Sequence, residues 1–188
     1  MTPIMNPDMT LNSLLSSNPA LANILSRTSI RRYLPDPLTP LQVEALLLAA
    51  MSAPSAVNRR PWEFYTVAAP SKLKALADAL PYAKMAASAP MAIVVCGNSS
   101  RFLEGLDSCL WQQDCSAAAQ NILLAAHALG LGAVWTCLFP HEDRMEPVRR
   151  ILDIPQSVIP FCLIPVGRPL APHDPLQKWD PSLVHTVL

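Results

Sequence analysis

The segment "DSCLWQQDCSAAAQNILLAAHAL", from Asp107 to Leu129, constrains this chain more than any other. It predicts one long helix that ends at Gly130, a residue suited to the left-handed position after a helix C-terminus. Through its second half the segment is apolar on most faces, so a single buried stripe cannot satisfy it and it must be covered on several sides. A chain of 188 residues, 51% hydrophobic and only 15% charged, has enough apolar material to bury a real core in one domain. Even so, the run from Ala117 to Ala126 is more than one subunit is expected to cover. Left bare, it would exceed the few hundred Å² of apolar patch usual for monomers.

The elements around this helix read as a mixed α+β chain. "TPLQVEALLLAAMSA" predicts a helix with Thr39 as N-cap, Pro40 at the first helical position and Gln42 closing a capping box. "WEFYTV" and "MAIVVC" read as strands, the second buried between Pro90 and Gly97. "SKLKALADAL" reads as a short helix capped by Ser71, "AVWTCLF" as a strand and "EDRMEPVRRIL" as a polar helix. "VIPFCLIPVG" reads as a last strand whose prolines suit an edge. The tail "RPLAPHDPLQKWDPSLVHTVL" is too rich in proline for a regular element, yet its Leu, Trp and Val call for burial. It is expected to wrap around something, a partner subunit being the natural candidate.

Charge and motifs exclude several classes of function. With 14 basic and 14 acidic side chains the molecule has no global field to attract nucleic acid or an anionic membrane. No apolar run reaches membrane-spanning length and no secretion signal is evident, so a cytoplasmic protein is expected. The five cysteines, Cys96, Cys109, Cys115, Cys137 and Cys162, form no CxxC pair; four lie in apolar sequence and read as reduced core thiols. Among His127, His141, His173 and His185 there is no metal-binding spacing. With five glycines and no GxGxxG, GxxxxGK[ST] or GxSxG, neither a dinucleotide fold, a P-loop nor a hydrolase elbow is visible. An organic cofactor that brings its own reactivity would need only cradling. A phosphate on it would explain why Arg27, Arg31 and Arg32 cluster in "RTSIRR".

Five segments, "RTSIRRY", "APSAVNRRPWEF", "WQQDCSAAAQNILLAA", "GLGAVWTCLFPHEDR" and "VIPFCLIPVGRP", occur in the order and approximate spacing of the nitroreductase family of FMN-dependent oxidoreductases. From about Leu25 to the C-terminus the chain resembles a short member of that family. The resemblance implies an α+β fold with a central mixed, mainly antiparallel sheet flanked by helices. It also implies a long central helix at the interface of an intertwined homodimer, with two FMN sites between subunits. Residues 1–20 would be an N-terminal extension and residues 21–188 a single FMN-binding domain.

By that resemblance Arg27 and Ser29 would bind the FMN phosphate and ribityl chain, and Arg31 would face the pyrimidine edge of the flavin. A guanidinium bonds phosphate in bidentate fashion, and positive charge near the pyrimidine stabilises anionic reduced flavin. Arg32 has no matching role. Pro54, Ser55 and Asn58 match a loop that reaches the flavin from the other subunit. Val57 stands where glycine is frequent, and Arg60 where glutamine is usual before Pro-Trp. Lys84 resembles a lysine that approaches the pyrimidine. Thr136 and Cys137 fall where backbone groups point at flavin N5, Cys137 in place of a common glycine. Gly167, Arg168 and Lys178 would complete the phosphate site.

The resemblance implies FMN-dependent reduction by NADH or NADPH, with hydride passing through flavin N5 to a nitroaromatic, a quinone or a similar small-molecule acceptor. No side chain need act as acid or base in the first half-reaction, and no metal is expected. The alternatives are a flavin-binding protein without turnover, or a specialised relative that dehalogenates, oxidises azolines or fragments the flavin.

Overall fold

A computed structural model of the chain describes residues 13, 15, 17–174 and 178–187. Most of the expected N-terminal extension and part of the tail therefore lie outside the described residues. The chain divides into two compact units, Ser29–Pro172 and a second made of Met1–Thr28 with His173–Leu188.

In the larger unit, helix α2 (Pro40–Met51) begins as its sequence predicts. Thr39 Oγ1 accepts the Gln42 N–H at 3.2 Å while Gln42 Oε1 accepts the Thr39 N–H at 2.9 Å, and Pro40 fills the first helical position. Strand β1 (Trp62–Val67) follows, then α3 (Pro70–Ala79) and β2 (Met91–Asn98). Ser71 does not cap α3. Proline prefers the first helical position, where no N–H is required, so Pro70 starts the helix two residues earlier, with Ala69 at the N-cap, and leaves Ser71 in its first turn. The long helix α4 spans Leu110–Ala128, preceded by a 3-10 turn at Gly105–Cys109, and Gly130 closes it with φ +70°. Two short strands, β3 (Gly132–Ala133) and β4 (Thr136–Cys137), lead to α5 (Glu142–Leu152) and to β5 (Val158–Gly167).

The sheet runs β1-β2-β5-β3, with β4 also on β5, and every pairing is antiparallel. Side chains alternate across it with period two. Ile93, Val95, Cys162, Ile164 and Val166 face α2 and α4, whereas Ala92, Val94, Cys96 and Leu163 face α3 and α5. The polar helix α5 is thus amphipathic, burying Met145 and Val148.

β5 is not the edge strand its prolines suggested; it lies in the interior with neighbours on both sides. Pro160 falls where the register shifts between Val95 and Cys96, a bulge that needs no N–H from it. Pro165 turns its carbonyl towards Val134, whose N–H approaches at 3.4 Å, so its missing donor faces the same side. There "AVWTCLF", expected as one strand, breaks into β3 and β4 with Val134 and Trp135 unladdered between them.

The long helix is covered more fully by its own chain than its sequence led one to expect. Ala118 and Ile122 are fully buried against the chain's own core, and the outer stripe is Gln113, Ala117, Gln120 and Leu124, exposed or half-buried. The large apolar exposure sits instead on α2, at Leu41, Leu48 and Met51. There Leu48 and Met51 border an open groove of about 550 Å³ along that helix.

In the smaller unit, α1 (Pro19–Ser26) is capped by Asn18, whose Oδ1 accepts the Ala20 and Leu21 N–H groups at 3.1 Å. The tail carries a 3-10 turn at Pro181–Leu183, capped by Asp180. Trp179, Leu183, Val184 and Val187 are exposed in the single chain.

Candidate functional site

The segment from Ser29 to Leu34 is stitched to the end of the sheet. The Ile30 N–H donates to the Ala133 carbonyl at 3.1 Å, the Leu34 N–H to that of Arg168 at 2.8 Å, and the Leu170 N–H to that of Arg32 at 3.0 Å. The buried Tyr33 hydroxyl contacts the carbonyls of Ile30 and Pro165 at 2.5 and 3.1 Å. Burial of that phenol pushes its pKa up, because the ionised form would lose solvation. Ile30 and Tyr33 are buried, whereas Ser29, Arg31 and Arg32 are exposed. Two glycines allow the close fit. A Cβ on Gly132 would sit 2.6 Å from Ile30 Cβ, and one on Gly167 would sit 2.6 Å from Pro90 Cδ and 3.2 Å from Tyr33 Cβ.

Four of the expected site residues are therefore gathered at one corner: Ser29, Arg31, Gly167 and Arg168. Arg168 is exposed and paired with Asp36 at 3.5 Å, whereas Arg31 is exposed and has no ion pair among the described residues. Thr136 and Cys137 lie along the same side of β5, opposite Leu163 and Cys162, about 13 and 17 Å from Gly167 at roughly 3.3 Å per residue. Thr136 is buried, its hydroxyl donating to the Leu163 carbonyl at 2.7 Å. Cys137 is exposed, not a core thiol, and so is Cys109; only Cys96, Cys115 and Cys162 are buried, and all five are free. Behind Cys137, Arg144 donates to its carbonyl at 3.3 Å and lies 5.2 Å over the Tyr82 ring.

The loop carrying Pro54, Ser55 and Asn58 precedes β1, at the other edge of the sheet. It bends through left-handed backbone at Val57 (φ 47°), Asn58 (φ 57°) and Arg60 (φ 49°). Ser55 Oγ accepts the Arg60 N–H at 3.0 Å and Asn58 Oδ1 accepts from Arg60 Nε at 2.8 Å, so the loop is braced internally. Lys84 Nζ donates to the carbonyls of Ala77 at 2.9 Å and Asp78 at 3.3 Å, closing the C-terminus of α3. Arg27 and Lys178 belong to the smaller unit. Arg27 is half-buried and its N–H donates to the Asn23 carbonyl at 3.2 Å; Lys178 is exposed.

Three contributors escaped the sequence reading. Tyr33 pins the arginine segment, and Gly132 makes room for it. Asp114, buried on α4, accepts the Ala56 N–H at 2.9 Å and so holds the loop. As the one acid in a helix without Glu, Lys or Arg, it was a signal for the last.

The residues fit a phosphorylated, elongated cofactor. An unpaired guanidinium and a hydroxyl project outward at one corner, and a short strand with broken pairing lies further along the same edge. The described residues include no cluster of three or more His, Cys, Asp or Glu able to hold a metal ion.

Comparison with known proteins agrees. The Nitroreductase family profile matches residues 24–87 and 77–168. A protein of Methanothermobacter thermautotrophicus with the provisional name NADH dehydrogenase/NAD(P)H nitroreductase is 45% identical over 171 residues, covering 91% of this chain and 88% of its own. A crystal structure from Bacteroides thetaiotaomicron under the same provisional name is 49% identical with a TM-score of 0.85, covering 90% of this chain and 97% of its own. An FMN-dependent nitroreductase of Clostridium difficile is 27% identical with a TM-score of 0.80, over 87% and 96% of the two chains. An α+β chain built on this antiparallel sheet, with these segments in this order, belongs to the nitroreductase family.

Proposed function

We propose that this chain is an FMN-dependent NAD(P)H oxidoreductase working as a cytoplasmic homodimer, its acceptor a nitroaromatic, a quinone or a similar oxidised small molecule. Residues 21–188 act as one functional domain. One observation carries the two-subunit reading. The outward Ser29 and Arg31, with Thr136 and Cys137, occupy one edge of the sheet, whereas Pro54, Ser55 and Asn58 precede the opposite edge strand. Three strand spacings, about 14 Å, separate those edges, so a second copy is the direct way to bring both sets to one ligand. The exposed Trp179, Leu183 and Val184 of the tail suit a segment that packs on that copy.

When bound, FMN would supply the hydride-transfer chemistry between NAD(P)H and the acceptor. The chain binds and orients. Arg31 places positive charge at the pyrimidine edge, and Arg27, Ser29 and the backbone at Gly167 and Arg168, with Lys178, hold the phosphate and ribityl chain. Arg168 must leave Asp36 if its side chain is to take part. The Thr136–Cys137 backbone presents the N–H for N5, and Arg144 steadies that strand through the Cys137 carbonyl. Lys84 reaches the cofactor only by giving up the α3 carbonyls.

The purified protein is expected to be yellow and to oxidise NADH or NADPH with a nitroaromatic or a quinone in anaerobic stopped flow. A yellow protein inert with every acceptor would reduce the reading to a flavin-binding module, and a colourless protein that takes up no added FMN would end it. Arg27→Ala or Arg31→Ala should lower FMN occupancy by forfeiting a charge-assisted pair of roughly 1.5 to 3 kcal/mol, with Arg32→Ala as the unaffected control. Because Ala118 and Ile122 face the chain's own core, the assembly test belongs on the outer stripe. Ala117→Glu should raise the monomer fraction and lower FMN retention together; a stable monomer with stoichiometric FMN would reject the shared site.

A further inference from the structure

Cys137 and Cys162 are direct partners across the ladder between β4 and β5. One residue further along each strand, the Leu138 N–H donates to the Phe161 carbonyl at 3.1 Å. That bonding places Cys137 and Cys162 in the intervening pair without hydrogen bonds, where Cα atoms approach to about 4.5 Å and side chains leave the same face. A disulfide spans Cα separations of about 4.4 to 6.8 Å, so the backbone is already within range. Both thiols are free, one exposed and one fully buried. β4 is two residues long, flanked by the unladdered Val134 and Trp135, and gives way more easily than β5, which is held from both sides.

We propose that Cys137 and Cys162 form an oxidisable cross-strand pair, in which a peroxide oxidises Cys137 and Cys162 resolves it to a disulfide. The Cys137 thiolate attacks the O–O bond of hydrogen peroxide; one oxygen stays as the sulfenic acid and the other leaves as hydroxide, which becomes water. The Cys162 sulfur then attacks the Cys137 sulfur, the S–O bond breaks, and the departing hydroxide takes the Cys162 proton. Two thiols and one peroxide give one disulfide and two waters, the thiols losing the two electrons that the peroxide gains.

Accessibility sets the order. Burial holds the Cys162 thiol well above its ordinary range, with further contributions from Cys115, Cys96 and Cys137, so it is a poor first nucleophile. With Cys137 exposed on a short strand, the bond is also open to reduction from that side. Cys109, exposed like Cys137 but on the 3-10 turn before α4, is the internal control.

The test uses the purified holoprotein treated with hydrogen peroxide, denatured, alkylated with N-ethylmaleimide and mapped by peptide mass spectrometry. The expected result is joint loss of the Cys137 and Cys162 thiols and a cross-linked peptide joining them, reversed by dithiothreitol. Cys137→Ser should leave Cys162 fully alkylated after peroxide. Cys162→Ala should leave a sulfenic acid on Cys137 that dimedone traps; if that core variant does not fold, Cys137→Ser carries the test. Cys137 oxidised while Cys162 stays free, Cys137 bonded to another cysteine, or Cys137 no more reactive than Cys109 would each overturn the proposal. The readout counts thiols, so it stands or falls separately from flavin turnover.

Discussion

Asp114 Oδ1 accepts the Ala56 N–H at 2.9 Å, which ties a buried carboxylate of the long helix to the loop carrying Ser55 and Asn58. A hydrogen bond to a charged group contributes about 1.5–3 kcal/mol. Asp114→Ala should therefore lower unfolding stability by about that much, with Asp114→Asn recovering part of it through its amide oxygen, since a neutral bond contributes about 0.5–1.5 kcal/mol. Urea denaturation of the three proteins checks this, and equal midpoints would mean that the loop does not depend on the bond.

Val57 pays for the same loop in backbone strain. A β-branched residue at φ 47° costs about 1–2 kcal/mol relative to right-handed backbone, whereas glycine adopts that region freely at an unfolded-state entropy cost of about 0.5–1 kcal/mol. Its side chain is 80% exposed, so little packing is lost on removal. Val57→Gly should be neutral to stabilising by up to about 1 kcal/mol, read from the thermal midpoint. Clear destabilisation would place the Val57 side chain in a contact that the single chain lacks.

Local signals were legible and non-local ones were not. The capping box at Thr39 and Gln42, the stop at Gly130 and the strands at Trp62 and Met91 each rest on neighbouring residues, and each forms. The position of β5 was not legible, because a proline's cost depends on which neighbour its missing donor faces. Pro165 is tolerated only because β3 and β4 part opposite it. The facing of Ala118 was hidden for another reason. A helix apolar on most sides has no stripe to read, so Ala117 and Ala118 look alike until the sheet chooses between them. At the site, resemblance marked Arg31 and Cys137, but Tyr33 and Gly132 work by fitting under the arginine segment, which only packing reveals.

Alkaline pH should weaken the fold through its buried thiols. Burial pushes Cys96 up to about 12, and Cys115 and Cys162 also rise, each mainly from lost solvation. An unfolded thiol ionises near 8.5. The stability linked to these groups is therefore fully present below about pH 8.5 and is lost as pH rises from there towards the folded values. Each group contributes a slope of about 1.4 kcal/mol per pH unit in that window. Chemical denaturation at pH 8 and pH 10 should show a marked loss that Cys115→Ala partly flattens, and identical stabilities at the two pH values would contradict the burial of these thiols.

Gly132 gives the sharpest test of how the fold holds the arginine segment. A methyl there would meet Ile30 Cβ at 2.6 Å, an atom fixed to the backbone, so Ile30 cannot yield by rotating and the Ser29–Leu34 strip must lift. Overpacking of this kind costs about 1–3 kcal/mol. Because Arg31 and Ser29 ride on that strip, Gly132→Ala should also weaken FMN retention, although residue 132 itself need not touch the cofactor. Gly105→Ala is the matched control. It sits at φ +62° with nothing within 4 Å, so it should cost about 1 kcal/mol from backbone strain alone and leave the flavin in place. Fluorescence titration of FMN into the two variants separates the effects. If Gly132→Ala retains flavin as well as Gly105→Ala does, the strip from Ser29 to Leu34 does not position the cofactor.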